Sequence, residues 1–195
     1  MLPAQYYLHA DVVWLARNLL GKTLCTFIDG KLTKAKIVET EAYEGVTDRA
    51  SHSFGGRLTP RTKTMYQEGG IAYVYFCYGM HYLFNVVTNI ENIPHAVLIR
   101  GIEPLEGIET MLERRGFETV KPELSNGPGK LSKALGINKQ INGMSLFSDI
   151  VWIEDAPTID DSDITASPRV GVAYALDHAE WPYRFRVKGN LYAGK

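Results

Sequence analysis

Residues 22–43 alternate polar and apolar side chains on both sides of Asp29-Gly30, a dipeptide that tolerates the left-handed backbone a two-residue hairpin turn requires. The pattern predicts strands over 22–27 and Lys31–Tyr43, joined antiparallel. It recurs in GGIAYVYFCYGMHYLFNV, residues 69–86. There, period-two alternation sets Ile71, Tyr73 and Tyr75 on one face and Ala72, Val74 and Phe76 on the other. The return strand spans 81–87, and Cys77, Tyr78, Gly79 and Met80 remain as a tip in which Gly79 supplies the positive φ. Two such hairpins commit the chain to a mainly antiparallel sheet.

Helices are interspersed unevenly. Asp11 caps a short helix in DVVWLARNLLG, with an apolar stripe of Val13, Leu15, Leu19 and Leu20 and a stop at Gly21. Thr59-Pro60 reads as an N-cap followed by proline at the first helical position, predicting a helix that ends near Gly69-Gly70. Residues 96–102 read as a strand, 104–115 as a helix, and Gly127-Pro128 as the start of a helix ending at Gly136. Further strands are expected at 150–154, 170–174 and 185–187. Strands in hairpins with peripheral helices define an α+β class, a single domain over residues 1–195 with a mainly antiparallel sheet.

The 195 residues, 45% of them hydrophobic, suffice for one core. No run approaches the roughly 18 apolar residues of a membrane span, and MLPAQYYLHADVV lacks the basic-then-apolar order of a signal peptide. The expectation is a soluble cytoplasmic protein with no membrane partner. Cys25 and Cys77 lie in apolar runs and the five histidines are scattered, so no metal or cofactor is expected. The net charge of −1 hides an asymmetry. Residues 149–163 hold six acids and no base, and the rest of the chain carries 21 basic against 16 acidic side chains. Basic residues gather in RLTPRTK, GPGKLSK and YRFRVKG, as solvated faces or as phosphate contacts.

Three features suggest chemistry. In IVETEAYEG, a strand would put Glu39, Glu41 and Tyr43 on one face, carboxylates beside a stacking ring. Nothing internal selects Glu41 over Glu39 or Glu44. Arg100, inside the apolar run AVLIRGI, needs a carboxylate partner or a cavity, and Glu41 is a reasonable partner. Asn85, on an otherwise apolar strand, must be hydrogen-bonded or line a pocket. A rigid Tyr78 at a hairpin apex suits a wedge between stacked bases, although hairpin geometry by itself favours a packed hairpin with an amphipathic tip.

Taken together, VETEAYEG, DRASHSFGGRLTPRTKTMY, YVYFCYGMHYLFNV, AVLIRGIEPLEG, SNGPGKLSKALGI and RVGV resemble the alkyladenine (3-methyladenine) DNA glycosylase family of the mammalian type, which has bacterial members. The resemblance spans most of residues 37–174 and implies a single compact domain with a curved sheet. It also implies a monofunctional, monomeric base-excision repair enzyme of the bacterial cytosol or nucleoid, acting on double-stranded DNA that contains damaged purines. Such an enzyme flips an alkylated or deaminated purine, 3-methyladenine or hypoxanthine, out of the duplex and hydrolyses its N-glycosidic bond. By that resemblance Glu41 is the general base and Arg100 the cation beside the base. Tyr43 and His52 hold the flipped base, Tyr75 is the opposite wall, and Asn85 hinders the 2-amino group of guanine. Tyr78 fills the gap left in the duplex, and Arg57, Thr59, Arg61 and Lys130 contact the DNA backbone.

The chemistry fits one carboxylate. An alkylated purine is already cationic and departs readily, so the enzyme needs a group that deprotonates water and steadies the oxocarbenium-like sugar. Arg100 is expected to keep Glu41 ionised. No lysine in the motifs suggests a Schiff base, so lyase activity is not expected. The alternative from another class is a non-catalytic binder of distorted DNA or RNA with the same wedge and pocket.

Overall fold

Asp29 (φ 56°) and Gly30 (φ 70°) both adopt left-handed backbone and close a two-residue turn that pairs Ile28 with Lys31. The computed structural model describes residues 1–77 and 79–194. In chain order its elements begin α1 (Ala4–Tyr7), α2 (Val12–Asn18), β1 (Thr23–Ile28), β2 (Lys31–Tyr43), β3 (Ala72–Cys77) and β4 (His81–Thr88). They continue β5 (His95–Glu106), α3 (Ile108–Arg115), α4 (Pro128–Ala134), β6 (Val151–Glu154), β7 (Ile164–Ser167) and β8 (Arg184–Val187). The strands form one open antiparallel sheet in the order β3-β4-β5-β2-β1-β6, so the chain is a compact α+β domain. Strand β8 pairs with β2 beyond the end of β1, and β7 pairs with β8.

The long strand β2 is the spine, with β5 along one edge and β1 followed by β8 along the other. Its register slips on either side of Glu39. One extra residue there reverses which parity faces the core. Ala35 and Ile37 therefore share the core side with Ala42, and with Thr40, whose hydroxyl donates to the Ala16 carbonyl of α2 at 2.7 Å. Glu39, Glu41 and Tyr43 are left on the opposite face. The second hairpin obeys the predicted alternation: Ala72 and Val74 join the main core with Phe84 and Val86, while Tyr73 joins Met65, Val87 and Ala96 in a smaller cluster on the other face. Tyr78 lies outside the described residues.

Local signals were read correctly at several ends. Asp11 caps α2 by accepting from the N–H groups of Val13 and Trp14 at 2.8 and 2.9 Å. Val12, not Val13, heads the buried stripe. Gly129 of α4 faces His81 so closely that a Cβ would lie 2.6 Å from the ring.

Three expectations fail. No α-helix follows Thr59-Pro60. The Thr59 carbonyl accepts from Thr62 and Lys63, and a 3-10 turn follows at Lys63–Tyr66. The buried residues there, Thr62, Thr64 and Met65, do not share one helical face. Residues 104–106 extend β5 instead of starting a helix; Pro104 is accommodated opposite Ala35 next to a register shift, where a missing donor costs little. Residues 170–174 are not a strand, because the Val170 N–H is bonded to a side chain instead of a sheet neighbour.

Strand β6, within the acidic stretch, ends the sheet path opposite β3. Carboxylates of this stretch meet bases of α2, of the residue before β1 and of β2: Asp155 lies 2.7 Å from Lys22, Glu154 3.1 Å from Lys34, and Asp161 2.6 Å from Arg17. Both cysteines are free, and burial, with Glu154 beside it, pushes the Cys25 thiol up to about 12. No helix among the described residues is long and apolar enough to cross a membrane. Because the Asp11 cap lies on the core side of the sheet, Asp11→Ala is expected to lower unfolding stability by about 1 kcal/mol in urea titrations. Activity per folded molecule should be unchanged.

Candidate active site

On the face opposite the main core, β2, β3, β4 and β5 and the loops around 48–61 and 170–174 enclose a cavity of about 430 Å³. This is a usual size for a small-molecule site. Tyr43, His52, Tyr75, Asn85, Arg100 and Val170 all line it.

The three carboxylates that sequence left equivalent have different surroundings. Glu39 accepts from Arg100 Nε at 3.0 Å, Arg184 Nε at 2.7 Å and the Gly194 N–H at 2.6 Å. The C-terminal tail can pass this close only because residue 101 is glycine; a Cβ there would lie 2.5 Å from the Tyr192 carbonyl oxygen. Burial alone would raise the Glu39 carboxyl, but the Gly194 N–H and the two guanidinium groups outweigh it and hold it below the ordinary range. Glu44 is half-buried and accepts from the Tyr183 hydroxyl at 3.3 Å.

Glu41 has a fully buried side chain. It accepts from the Val170 N–H and the Tyr43 hydroxyl, each at 2.8 Å, and Arg100 Nε lies 3.3 Å away. All three partners line the cavity, so Glu41 stands directly behind its wall. Arg100 does not dominate its ionisation as expected. Burial pushes the Glu41 carboxyl above the ordinary glutamate value, and Arg100, the Val170 N–H and the Tyr43 hydroxyl pull it only partly back. The nearer partner of Arg100 is Glu39.

The aromatic walls are held as firmly. The His52 ring meets Tyr75 edge-on, with centroids 4.7 Å apart. Its Nδ1 is 2.9 Å from the Tyr73 hydroxyl, and Arg61 donates to its Nε2 at 3.1 Å. A ring that accepts at Nε2 carries its proton on Nδ1 and gives it to Tyr73. Burial, reinforced by Arg61 and Arg57, pushes the imidazole down to about 4. Arg61, expected on the DNA backbone, also lies 4.8 Å above the centre of the Tyr75 ring and is thus part of the wall. Asn85 spends its amide hydrogens on the Tyr73 and Leu83 carbonyls, at 3.0 and 3.4 Å. Among the described residues no donor reaches its oxygen, which is left as an acceptor.

Of the other expected DNA contacts, Arg57 and Lys130 lie near residues of the cavity wall. Arg57 is exposed beside a hollow that shares His52 with the main cavity. The Thr59 hydroxyl is 3.1 Å from that of Thr62. Lys130 donates to Asn126 at 2.7 Å near Pro128, which lines the cavity. Phe76 and Met80, flanking the tip, are more than half exposed.

The family model for methylpurine-DNA glycosylase (MPG) matches residues 6–191. The chain belongs to the methylpurine-DNA glycosylase family. Relatives provisionally named 3-methyladenine DNA glycosylase support this. One from Chlamydia felis is 47% identical, covering 95% of each chain. One from Clostridium acetobutylicum is 44% identical over 92% of this chain and 91% of its own, and one from Desulfitobacterium hafniense is 43% identical over 98% and 97%. The enzyme is accordingly a DNA glycosylase, a hydrolase of N-glycosyl compounds.

Sequence reasoning missed four groups that shape this candidate site: Asp48, Arg169, the Val170 N–H and the Gly194 N–H. Arg169 and Asp48 form a fully buried ion pair behind Tyr43. Both lay within the quoted motifs, but motif letters do not reveal burial.

The His52 environment has a measurable consequence. By NMR its ring should remain neutral down to pH 5 and titrate near about 4, with Arg61→Ala moving the midpoint up. The unfolded ring, with a pKa of about 6.5, takes up a proton that the folded ring refuses. Stability contributed by neutral His52 is therefore lost as the pH falls from about 6.5 towards about 4.

Proposed function

We propose that this glycosylase excises 3-methyladenine and hypoxanthine from duplex DNA by flipping the purine between Tyr43 and the Tyr75–His52 wall. One observation carries the reading: Glu41 is a fully buried carboxylate whose three partners all line a cavity walled by aromatic rings. Extrusion of a damaged base costs a few kcal/mol, and stacking on aromatic rings returns about 1–3 kcal/mol per contact. Tyr78, at the tip of the hairpin that supplies Tyr75 and Asn85, occupies the vacated place in the duplex. The Asn85 side chain, held in place by its bonds to the Tyr73 and Leu83 carbonyls, takes the space a 2-amino group would need and disfavours guanine on steric grounds.

In the chemical step the bond between the sugar's anomeric carbon and the purine breaks, and its electron pair leaves with the base. For 3-methyladenine this neutralises the leaving group; hypoxanthine leaves with one negative charge and takes up a proton from solvent water. A water adds to the sugar and gives its proton to Glu41, whose charge also steadies the oxocarbenium-like sugar. Arg100, tethered by Glu39, lies beside the carboxylate and base. Arg57, Thr59, Arg61 and Lys130 meet the flanking phosphates, with Arg61 moving from the Tyr75 ring to do so. The enzyme acts as a monomer.

Glu41→Gln should bind hypoxanthine-containing duplex as the wild type does and release no base in a gel assay; full activity would remove Glu41 from this role. For the wild type, kcat/KM should fall with decreasing pH through a midpoint above the ordinary glutamate value of about 4.3. The direction follows because burial raises the folded pKa, so the active carboxylate is protonated at a higher pH. Tyr78→Ala should weaken binding to lesion duplex and slow release from it, with little change on single-stranded substrate. Equal losses on both substrates would rule out a wedge.

A further inference from the structure

We propose that the buried Asp48–Arg169 ion pair is the positioning pair of this pocket, setting the Tyr43 wall and the Glu41 carboxylate together. It rests on the reading of Tyr43 and Glu41 just given. Both side chains are fully buried. Arg169 Nη1 donates to Asp48 Oδ2 and to the Ala42 carbonyl, the latter at 2.9 Å, and Nη2 donates to Asp48 Oδ1 at 2.9 Å and the His178 carbonyl at 3.1 Å. This fork holds the guanidinium plane in place, its central carbon 4.9 Å from the centre of the Tyr43 ring and 5.3 Å from that of Tyr183. One face of Tyr43 is thereby covered from behind, and only the cavity side remains for a base.

Asp48 binds the other way along the chain. It accepts from the N–H groups of Glu44 at 3.2 Å and Ala50 at 2.9 Å, fixing the loop that leads from Tyr43 to His52. The residue after Arg169 is Val170, whose N–H reaches Glu41 at 2.8 Å. Two side chains thus join the end of β2, the His52 loop and the Val170 coil. A buried ion pair contributes little net stability compared with apolar replacements, but its directional bonds fix positions. Lysine cannot reproduce the planar fork or its stacking on Tyr43.

The test compares Arg169→Lys and Asp48→Asn with wild type on two duplexes, one with a single hypoxanthine and one with an abasic-site analogue that has no base to bind. Glu41 is faced by Arg100, Glu39, Tyr43, Tyr75 and Arg169, and Arg184 pairs across from it, so all but the altered residue stay constant. Arg169→Lys should slow single-turnover release between about 10- and 100-fold, the cost of a displacement on the order of 1 Å. It should also move the acid limb to higher pH, because Glu41 loses the aligned Val170 N–H. Binding of the abasic analogue should be unchanged, so the preference for the base-containing duplex falls; Asp48→Asn should do the same to a lesser degree. Unchanged release and an unchanged acid limb in Arg169→Lys would overturn the proposal. So would equal losses on both duplexes, or loss of cooperative melting in both variants, since the pair would then be structural alone. If the wild type releases no base, or Glu41→Gln remains active, the Glu41 assignment fails instead. The pair is then judged by the relative binding of the two duplexes.

Discussion

Two carboxylates two residues apart on one strand, both out of water, would not stay there without cations between them. Arg100 lies between Glu39 and Glu41, its Nε within 3.3 Å of both, and Arg184 closes Glu39 from the other side. The arrangement is asymmetric. Glu39 has two guanidinium groups and a backbone N–H and is driven below the normal carboxylate range. Glu41 shares one guanidinium and is driven above it. Environments that push two like groups apart suit them to different tasks: Glu39 anchors the arginine, and the raised carboxyl of Glu41 fits the proton acceptor of the mechanism we propose.

That asymmetry depends on sheet geometry. The bulge at Glu39 keeps Ile37 in the core while Glu39, Glu41 and Tyr43 turn to the opposite face of the sheet, where Tyr43 lines the cavity. Across the cavity, Tyr73 serves three neighbours. Its ring belongs to the small core cluster, its carbonyl fixes Asn85, and its hydroxyl fixes the proton on His52. The wall is therefore organised before any ligand arrives, and organised polar groups lose least on binding.

The legible parts of this fold were those decided within a few residues. The Asp29-Gly30 turn, the Asp11 cap and the alternation of Ile71–Phe76 follow from local backbone preference and were read correctly. The supposed helix after Thr59-Pro60 failed because a start signal is powerless without an apolar face to bury. The supposed strand at 170–174 failed because its donor served a carboxylate 129 residues away. The same distance in sequence hid the Asp48–Arg169 pair and left Glu39, Glu41 and Glu44 indistinguishable. Which of three nearby acids loses its water is a property of the tertiary structure.

Charge follows the same logic at larger scale. Acids of the 149–163 stretch are bound to Lys22, Lys34 and Arg17, near the sheet end farthest along its path from β3. Among the described residues, Arg57, Arg61 and Lys130 have no carboxylate within ion-pair distance; Arg61 lines the cavity and Arg57 the hollow beside it. A chain of net charge −1 thus places three of its acid–base pairs at one end of the sheet path, away from the unpaired arginines beside the cavity. For a polyanion the field at the cavity mouth governs approach, and the total charge does not.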